Sequence, residues 1–418
     1  MFRQAFLASL INLKSLLSFT VVLTLFLLLA APVFSHNHSF ALSEDIKAET
    51  FLLMDAHTGR ILYQNNADIT MAPASLTKIM TLLIAVEALD QGEVEWDEMV
   101  TVSQRANETG GSQMFLSYNI EVPFKELIKG IAIISANDAC VAVAEHLYGS
   151  KEAFVHRMNQ KAEELGLENT SFSNASGLHS DSHYMSAKDV AKLSQYLIQN
   201  HPEITSLQSE PSYATSPKYT HEDEEIVEYN RNPLLGNYEG ADGIKTGWTS
   251  QAGYSLAATA ERDKLRFISV VMKTDSNNQR RRDTETLLNY GFNYYRNYHL
   301  ATPGETVESI PVERGTEDEI PLVATETLKM AVPKNEEHKL ALEVTPKNEI
   351  QTPIEKGETL AEVKVLFEEE IILDSTLEAG QDIARLGFFA HLWDQTKSFF
   401  SGLWQQIWGN VTEFFVTP

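Results

Sequence analysis

The chain has 418 residues, one cysteine, and 58 acidic against 33 basic side chains, a formal charge of −25. A single cysteine excludes an internal disulfide framework, so the fold must rest on its core. The acidity argues against nucleic acid as a partner and against electrostatic attraction to anionic lipid, since both need clustered Lys and Arg.

At the N-terminus, Arg3 and Lys14 precede the apolar run "LLSFTVVLTLFLLLAAPVF" and then small residues. That order predicts a secretory signal peptide over 1–41, cut after Ser35 or Ala41. An uncleaved anchor is the alternative, because the run is nearly long enough to span a bilayer. The polar stretch rich in His, Asn and Ser that follows favours cleavage. Either way, the body of the protein is expected outside the cytoplasm.

Residues 42–298 alternate strand-like runs ("TFLLMDAHTGRILYQ", "RFISVVMK") with helical ones ("SLTKIMTLLIAVEALDQG", "VPFKELIKGIAIIS", "DVAKLSQYLIQN"). The first helix carries "MAPASLTKIM". Pro73 suits a first helical turn. Ser75 then lies near the positive end of the helix dipole, and Lys78, three residues on, shares its face. A serine attacks only if something takes its proton, and a lysine does so only when burial or a second cation keeps it neutral. Alone, Ser-x-x-Lys is weak: a chain of this length holds roughly one or two by chance.

Two later stretches add to it. Ser135 and Asn137 in "IISANDACVAVAEHL" sit at the junction of two apolar helical runs, where both polar groups can face a cleft; a capped helix–helix turn is the ordinary alternative. Cys140, in the second run, reads as a small buried side chain. Lys245 and Thr246 in "GADGIKTGWTSQAGYSLAATA" open a strand pattern, and Gly247 would let a ligand backbone approach its edge; a β-turn is the ordinary alternative.

Ser-x-x-Lys, Ser-x-Asn and Lys-Thr-Gly, in that order and each with its local structure, form the set found in penicillin-binding proteins and class A β-lactamases. Within that set the chain resembles the serine-type D-alanyl-D-alanine carboxypeptidases, the low-molecular-mass penicillin-binding proteins. The resemblance also runs through "LLMDAHTGRILYQNNAD", "GGSQMFL", "HYMSAKDVA", "NRNPLLGNYEG" and "LLNYGF". It implies an α/β (α+β) penicillin-binding/β-lactamase-like transpeptidase fold, a small all-β domain and a C-terminal amphipathic helix.

In that family the reaction removes the terminal D-alanine from peptidoglycan stem peptides, limiting cross-linking, and β-lactam antibiotics act as inhibitors. The resemblance assigns Ser75 as nucleophile, Lys78 as proton acceptor and Ser135 as proton relay. Asn137 would hold Lys78 and the substrate amide. Lys245 would depress the pKa of Lys78 and, with Thr246, attract the terminal carboxylate. The backbone N–H groups of Ser75 and Trp248 would form the oxyanion hole. Arg280 falls where the family has a basic residue near the carboxylate, with Arg281 and Arg282 as alternatives.

The middle motif has Ala136 where many members have Gly, the smallest available change. A β-lactamase, or a catalytically idle wall-binding scaffold, are the rival readings. "ETLLN" from Glu285 copies the β-lactamase deacylating motif, but it comes after Lys-Thr-Gly. No cofactor is implied and no metal: His179 and His183 in "GLHSDSHYM" lack a carboxylate pattern, and His183 reads as ordering a loop beside the cleft.

The block 299–382 ("ESIPVERG", "LKMAVP", "LALEVTP", "LAEVKVLF") reads as the small β domain. In 383–418, Phe389, Leu392, Trp393, Phe400, Leu403, Trp404, Ile407, Val411 and Phe414 share one helical face. Interrupted by polar residues, this helix is expected to lie in a membrane interface and not to span it. Burying those side chains is worth on the order of 15 to 25 kcal/mol gross. The expected location is the outer face of the bacterial cytoplasmic membrane.

Overall fold

The computed structural model describes residues 45–220, 222–347 and 350–387. The predicted signal segment and the apolar residues of the predicted tail helix lie outside these described residues.

An antiparallel five-stranded sheet forms the first domain, from β1 (Thr50–Asp55), β2 (Ile61–Asn65), β3 (Ala241–Thr249), β4 (Gly253–Arg262) and β5 (Leu265–Thr274). Their order is β2-β1-β5-β4-β3. β1, β4 and β5 read as continuous apolar runs because they are buried along most of their length. β3 is an edge strand. Long-range pairing closes this sheet: β1 lies beside β5, with Leu52 opposite Val270.

Among the described residues, the α-helices longer than a single turn are α1 (Lys78–Asp90), α2 (Phe124–Lys129), α3 (Asn137–Tyr148), α4 (Lys151–Glu164), α5 (Ala187–Asn200), α6 (Pro202–Gln208) and α7 (Asn277–Tyr294). α5 and α7 both pack on β5. α1 is apolar all round and 10 of its 13 residues are buried, as befits a central helix. It ends at Asp90, and Gly92 takes φ +72 just past the last turn.

The second domain is all-β. β6 (Tyr295–Ala301) pairs with β9 (Leu328–Pro333). β7 (Thr306–Pro311), β8 (Glu319–Ala324), β10 (Leu340–Pro346), β11 (Thr359–Phe367) and β12 (Glu370–Ala379) form a sheet of order β7-β8-β12-β11-β10. Its core is its own, built around Ile320, Leu322, Val363 and Leu377. Asp55, buried at the end of β1, joins the two domains by accepting the Ala331 N–H at 2.9 Å.

β6 starts at Tyr295, so the boundary expected at 298/299 falls inside that strand. The 383–418 segment likewise begins within the β domain. Ile383 bridges Ile354 and is buried, and Arg385 bridges Gly315.

Candidate active site

Pro73 caps a 3-10 turn over Ala74–Thr77, and α1 begins only at Lys78. The first motif therefore uses a tighter turn than the predicted α-helix, one in which residues three apart eclipse each other. That geometry puts Lys78 Nζ 3.1 Å from Ser75 Oγ. The lysine is fully buried; Nζ also reaches Asn137 Oδ1 at 2.7 Å and the Ser176 carbonyl at 2.6 Å. As an ammonium, Lys78 donates to all three oxygens; as a neutral amine it keeps its two N–H groups for Asn137 and Ser176 and can turn its lone pair to the Ser75 hydroxyl.

After α2 the chain makes a π-helical turn over Gly130–Ile134, and Ser135 then takes a left-handed conformation, φ +68. Such a backbone on a non-glycine residue costs energy and marks a position held by its surroundings. Ser135 is buried, and its Oγ has no hydrogen-bond partner among the described residues. Asn137 starts α3, with Nδ2 donating to the Gly110 carbonyl at 2.7 Å and its own N–H to the Ser112 carbonyl at 2.7 Å. Cys140 is buried as expected and donates to Ala136 O at 3.1 Å; burial pushes its thiol up to about 11, so it stays protonated.

Lys245, Thr246 and Trp248 lie on edge strand β3, the first two buried and Trp248 56% exposed with its ring tilted against Tyr254. Gly247 also has a reason within the protein itself. A Cβ there would lie 2.8 Å from the Pro73 carbonyl oxygen, so the protein's own Ser75 turn needs that space.

Of the three candidate arginines, only Arg280 is buried beside the site. Its guanidinium donates at 3.3 Å to the carbonyls of Gly247, Ser255 and Arg231. Arg281 pairs with Glu285, and Arg282 donates to Gln279. Glu285 of the "ETLLN" coincidence is thus on α7, engaged with Arg281.

Burial is the first cause of both lysine shifts. It lowers Lys78 to about 8, aided by the Arg231 charge and opposed by Cys140 and Asp138. It lowers Lys245 to about 7, and the Lys78 charge pushes further in the same direction. Repulsion between the two therefore adds to desolvation, and the buried pair favours one proton over two.

Sequence reasoning missed Arg231, Ser176 and Asp138. Arg231 Nη1 donates to Ser112 Oγ at 2.8 Å and adds positive charge near both lysines. Ser176 contributes a backbone carbonyl, which no side-chain pattern reveals. Asp138 adjoins the second motif and carried no pattern of its own.

His183 orders the loop, as expected. Nε2 lies 2.7 Å from Thr77 Oγ1 and Nδ1 accepts the Ser173 N–H at 3.0 Å, whereas His179 faces Asp181. Among the described residues no His, Cys, Asp or Glu cluster has metal-binding geometry.

The sequence profile of the D-alanyl-D-alanine carboxypeptidase family matches residues 36–276, and that of the penicillin-binding protein 5 C-terminal domain matches residues 295–385. The chain is similar to the D-alanyl-D-alanine carboxypeptidase DacF of Bacillus subtilis: 36% identity over 383 residues, covering 91% of this chain and 97% of the relative. It also resembles the crystal structure of penicillin-binding protein 5 from Haemophilus influenzae, with TM-score 0.72 and 33% identity over 81% of this chain and 98% of that one. Penicillin-binding protein D2 from Listeria monocytogenes, in its cefotaxime-bound form, matches with TM-score 0.53 and 34% identity over 59% of this chain and 98% of that one. The chain belongs to the D-alanyl-D-alanine carboxypeptidase family, as a serine hydrolase whose catalytic domain is followed by an all-β domain.

Proposed function

We propose that Ser75 and Lys78 carry out this family's reaction on peptidoglycan stem peptides ending in D-Ala-D-Ala. The observation that carries the reading is the buried Lys78 amine 3.1 Å from Ser75 Oγ, with its other two contacts on acceptors. Ser75 Oγ attacks the carbonyl between the two D-alanines while Lys78 takes its proton. The N–H groups of Ser75 and Trp248 receive the oxyanion, each such donor being worth about 3 to 4 kcal/mol.

Ser135 passes a proton to the departing D-alanine nitrogen, and the C–N bond breaks to leave an ester on Ser75. Water then hydrolyses the ester. Lys245 and Thr246 hold the terminal carboxylate, with Arg231 and Arg280 adding positive charge behind it. A carboxylate beside Lys245 keeps the proton of the pair there, which leaves Lys78 as the neutral base.

β-Lactams meet the same serine. Incubation with labelled penicillin should give a long-lived adduct that maps to Ser75 and is absent from Ser75→Ala. Rapid turnover of the adduct would make the protein a β-lactamase, and no adduct at all an idle scaffold.

Export by the 1–41 leader and attachment by the C-terminal apolar face would place the enzyme on the outer face of the cytoplasmic membrane, limiting cross-linking there. The support is compositional: the tail combines nine large apolar residues on one face with few Lys or Arg. Among the described residues, no helix is long and apolar enough to cross a membrane.

A further inference from the structure

Asp138, in the first turn of α3, is fully buried, and no step above uses it. Backbone donors ring its carboxylate. The Met114 N–H lies 3.0 Å from each oxygen, the Leu116 N–H 3.1 Å from Oδ2, and its own neighbour's N–H, of Ala139, 2.9 Å from Oδ1. Every partner is a donor, so the cradle fits a carboxylate anion and offers a carboxyl proton nothing to bond. Burial raises the pKa of Asp138 and these bonds draw it back. The helix dipole also favours negative charge at this end of α3.

The segment held by these bonds is the one that fixes Asn137. Gly110 O accepts from Asn137 Nδ2 and Ser112 O from the Asn137 N–H, both at 2.7 Å. An amide has one donor end and one acceptor end. With Nδ2 committed to Gly110, Oδ1 must face Lys78, where it lies 2.7 Å from Nζ. The fit is close: a Cβ on Gly111 would come within 2.5 Å of Asn137 Nδ2.

We propose that Asp138 is a positioning residue for acylation: by anchoring the Met114 and Leu116 amides it holds Gly110 and Ser112 against Asn137, and so keeps the Asn137 oxygen on Lys78. This rests on the roles of Ser75 and Lys78 given above.

Asp138 also acts on Lys78 through its charge. The groups facing Lys78 are Asp138 and Cys140 from α3, Arg231, Lys245 from β3 and His183 from the 171–184 loop. Of these, only Asp138 is anionic near neutral pH, and it stabilises the Lys78 ammonium. Neutralising Asp138 lets Lys78 lose its proton at lower pH.

The test is Asp138→Asn, equal in size but forced to set an N–H₂ against a backbone N–H. On a peptide ending in D-Ala-D-Ala, kcat should fall at least about tenfold while KM changes little, because the carboxylate site is untouched. The acidic limb of the pH–rate profile should move to lower pH. If Asp138→Asn does not fold, Asp138→Glu carries the test, since it keeps the charge and lengthens the arm. It should show the same loss of kcat with the limb unmoved.

A folded Asp138→Asn with wild-type kcat overturns the proposal. So does a lowered melting temperature with an unmoved acidic limb, which would mark a merely structural residue; for the Glu variant, wild-type kcat is the overturning result. Wild-type D-alanine release and Ser75 labelling, run alongside, fail only if the assignment of Ser75 itself is wrong.

Discussion

Gly177 lies in the 171–184 loop with φ +85, directly against the turn that carries Ser75. A Cβ there would sit 1.8 Å from the Ala74 carbonyl oxygen, 2.3 Å from its carbon and 2.9 Å from Thr77 Oγ1. For Gly177→Ala, restoring ordinary van der Waals separation requires the turn or the loop to retreat by more than about 1 Å. The left-handed backbone adds about 1 to 2 kcal/mol and overpacking about 1 to 3 kcal/mol, so destabilisation of about 2 to 5 kcal/mol is expected.

The same displacement moves Ser75 relative to Lys78, whose Nζ is itself held by the neighbouring Ser176 carbonyl. A shift of that size costs about 100-fold in a reaction that depends on alignment. The assay is the acylation rate with labelled penicillin, paired with a thermal melt. Gly149→Ala is the control. It has a similar φ, +71, but no atom within 4 Å, so it should lose about 1 to 2 kcal/mol and acylate normally. Acylation by Gly177→Ala within a few-fold of wild type would refute the view that this loop sets the Ser75 turn.

Lys245→Ala should raise KM by weakening carboxylate capture and, by removing a nearby cation, raise the Lys78 pKa, so the acidic limb moves up; an unchanged profile and KM would remove Lys245 from the site. His183 is held neutral, accepting at Nδ1, and burial lowers its pKa to about 4 from 6.5. Its contribution, on the order of 3 kcal/mol, is complete above about pH 6.5 and declines as pH falls towards 4, because the unfolded chain takes up the proton first. His183→Gln should flatten the fall in melting temperature across that window, and an equally steep fall in the variant would assign it to other groups. Deleting residues from Gly387 onward should free the protein from membranes while preserving hydrolysis of a soluble D-Ala-D-Ala peptide. High salt should not strip the intact protein, since screening acts on charge and not on buried apolar area; release by salt alone would contradict hydrophobic attachment.

Local chemistry made much of this protein legible in its sequence. Buried strands and helices appear as apolar runs of different period, so α1, α5 and most strands of both domains could be read directly. The three motifs are each confined to three or four residues, so Ser75, Lys78, Ser135, Asn137, Lys245 and Thr246 could be named before any of them had a neighbour. What only the tertiary structure decided is how distant segments meet. Lys78 owes its lowered pKa first to desolvation, a property of everything packed around it and not of its own spacing. Gly247 is required by the Pro73 carbonyl, a residue far away in the chain, and Arg280 is spent on backbone carbonyls that no pattern near it announces. The Ser176 carbonyl and the amides around Asp138 were invisible because every residue carries such groups, and only folding brings particular ones to a buried charge.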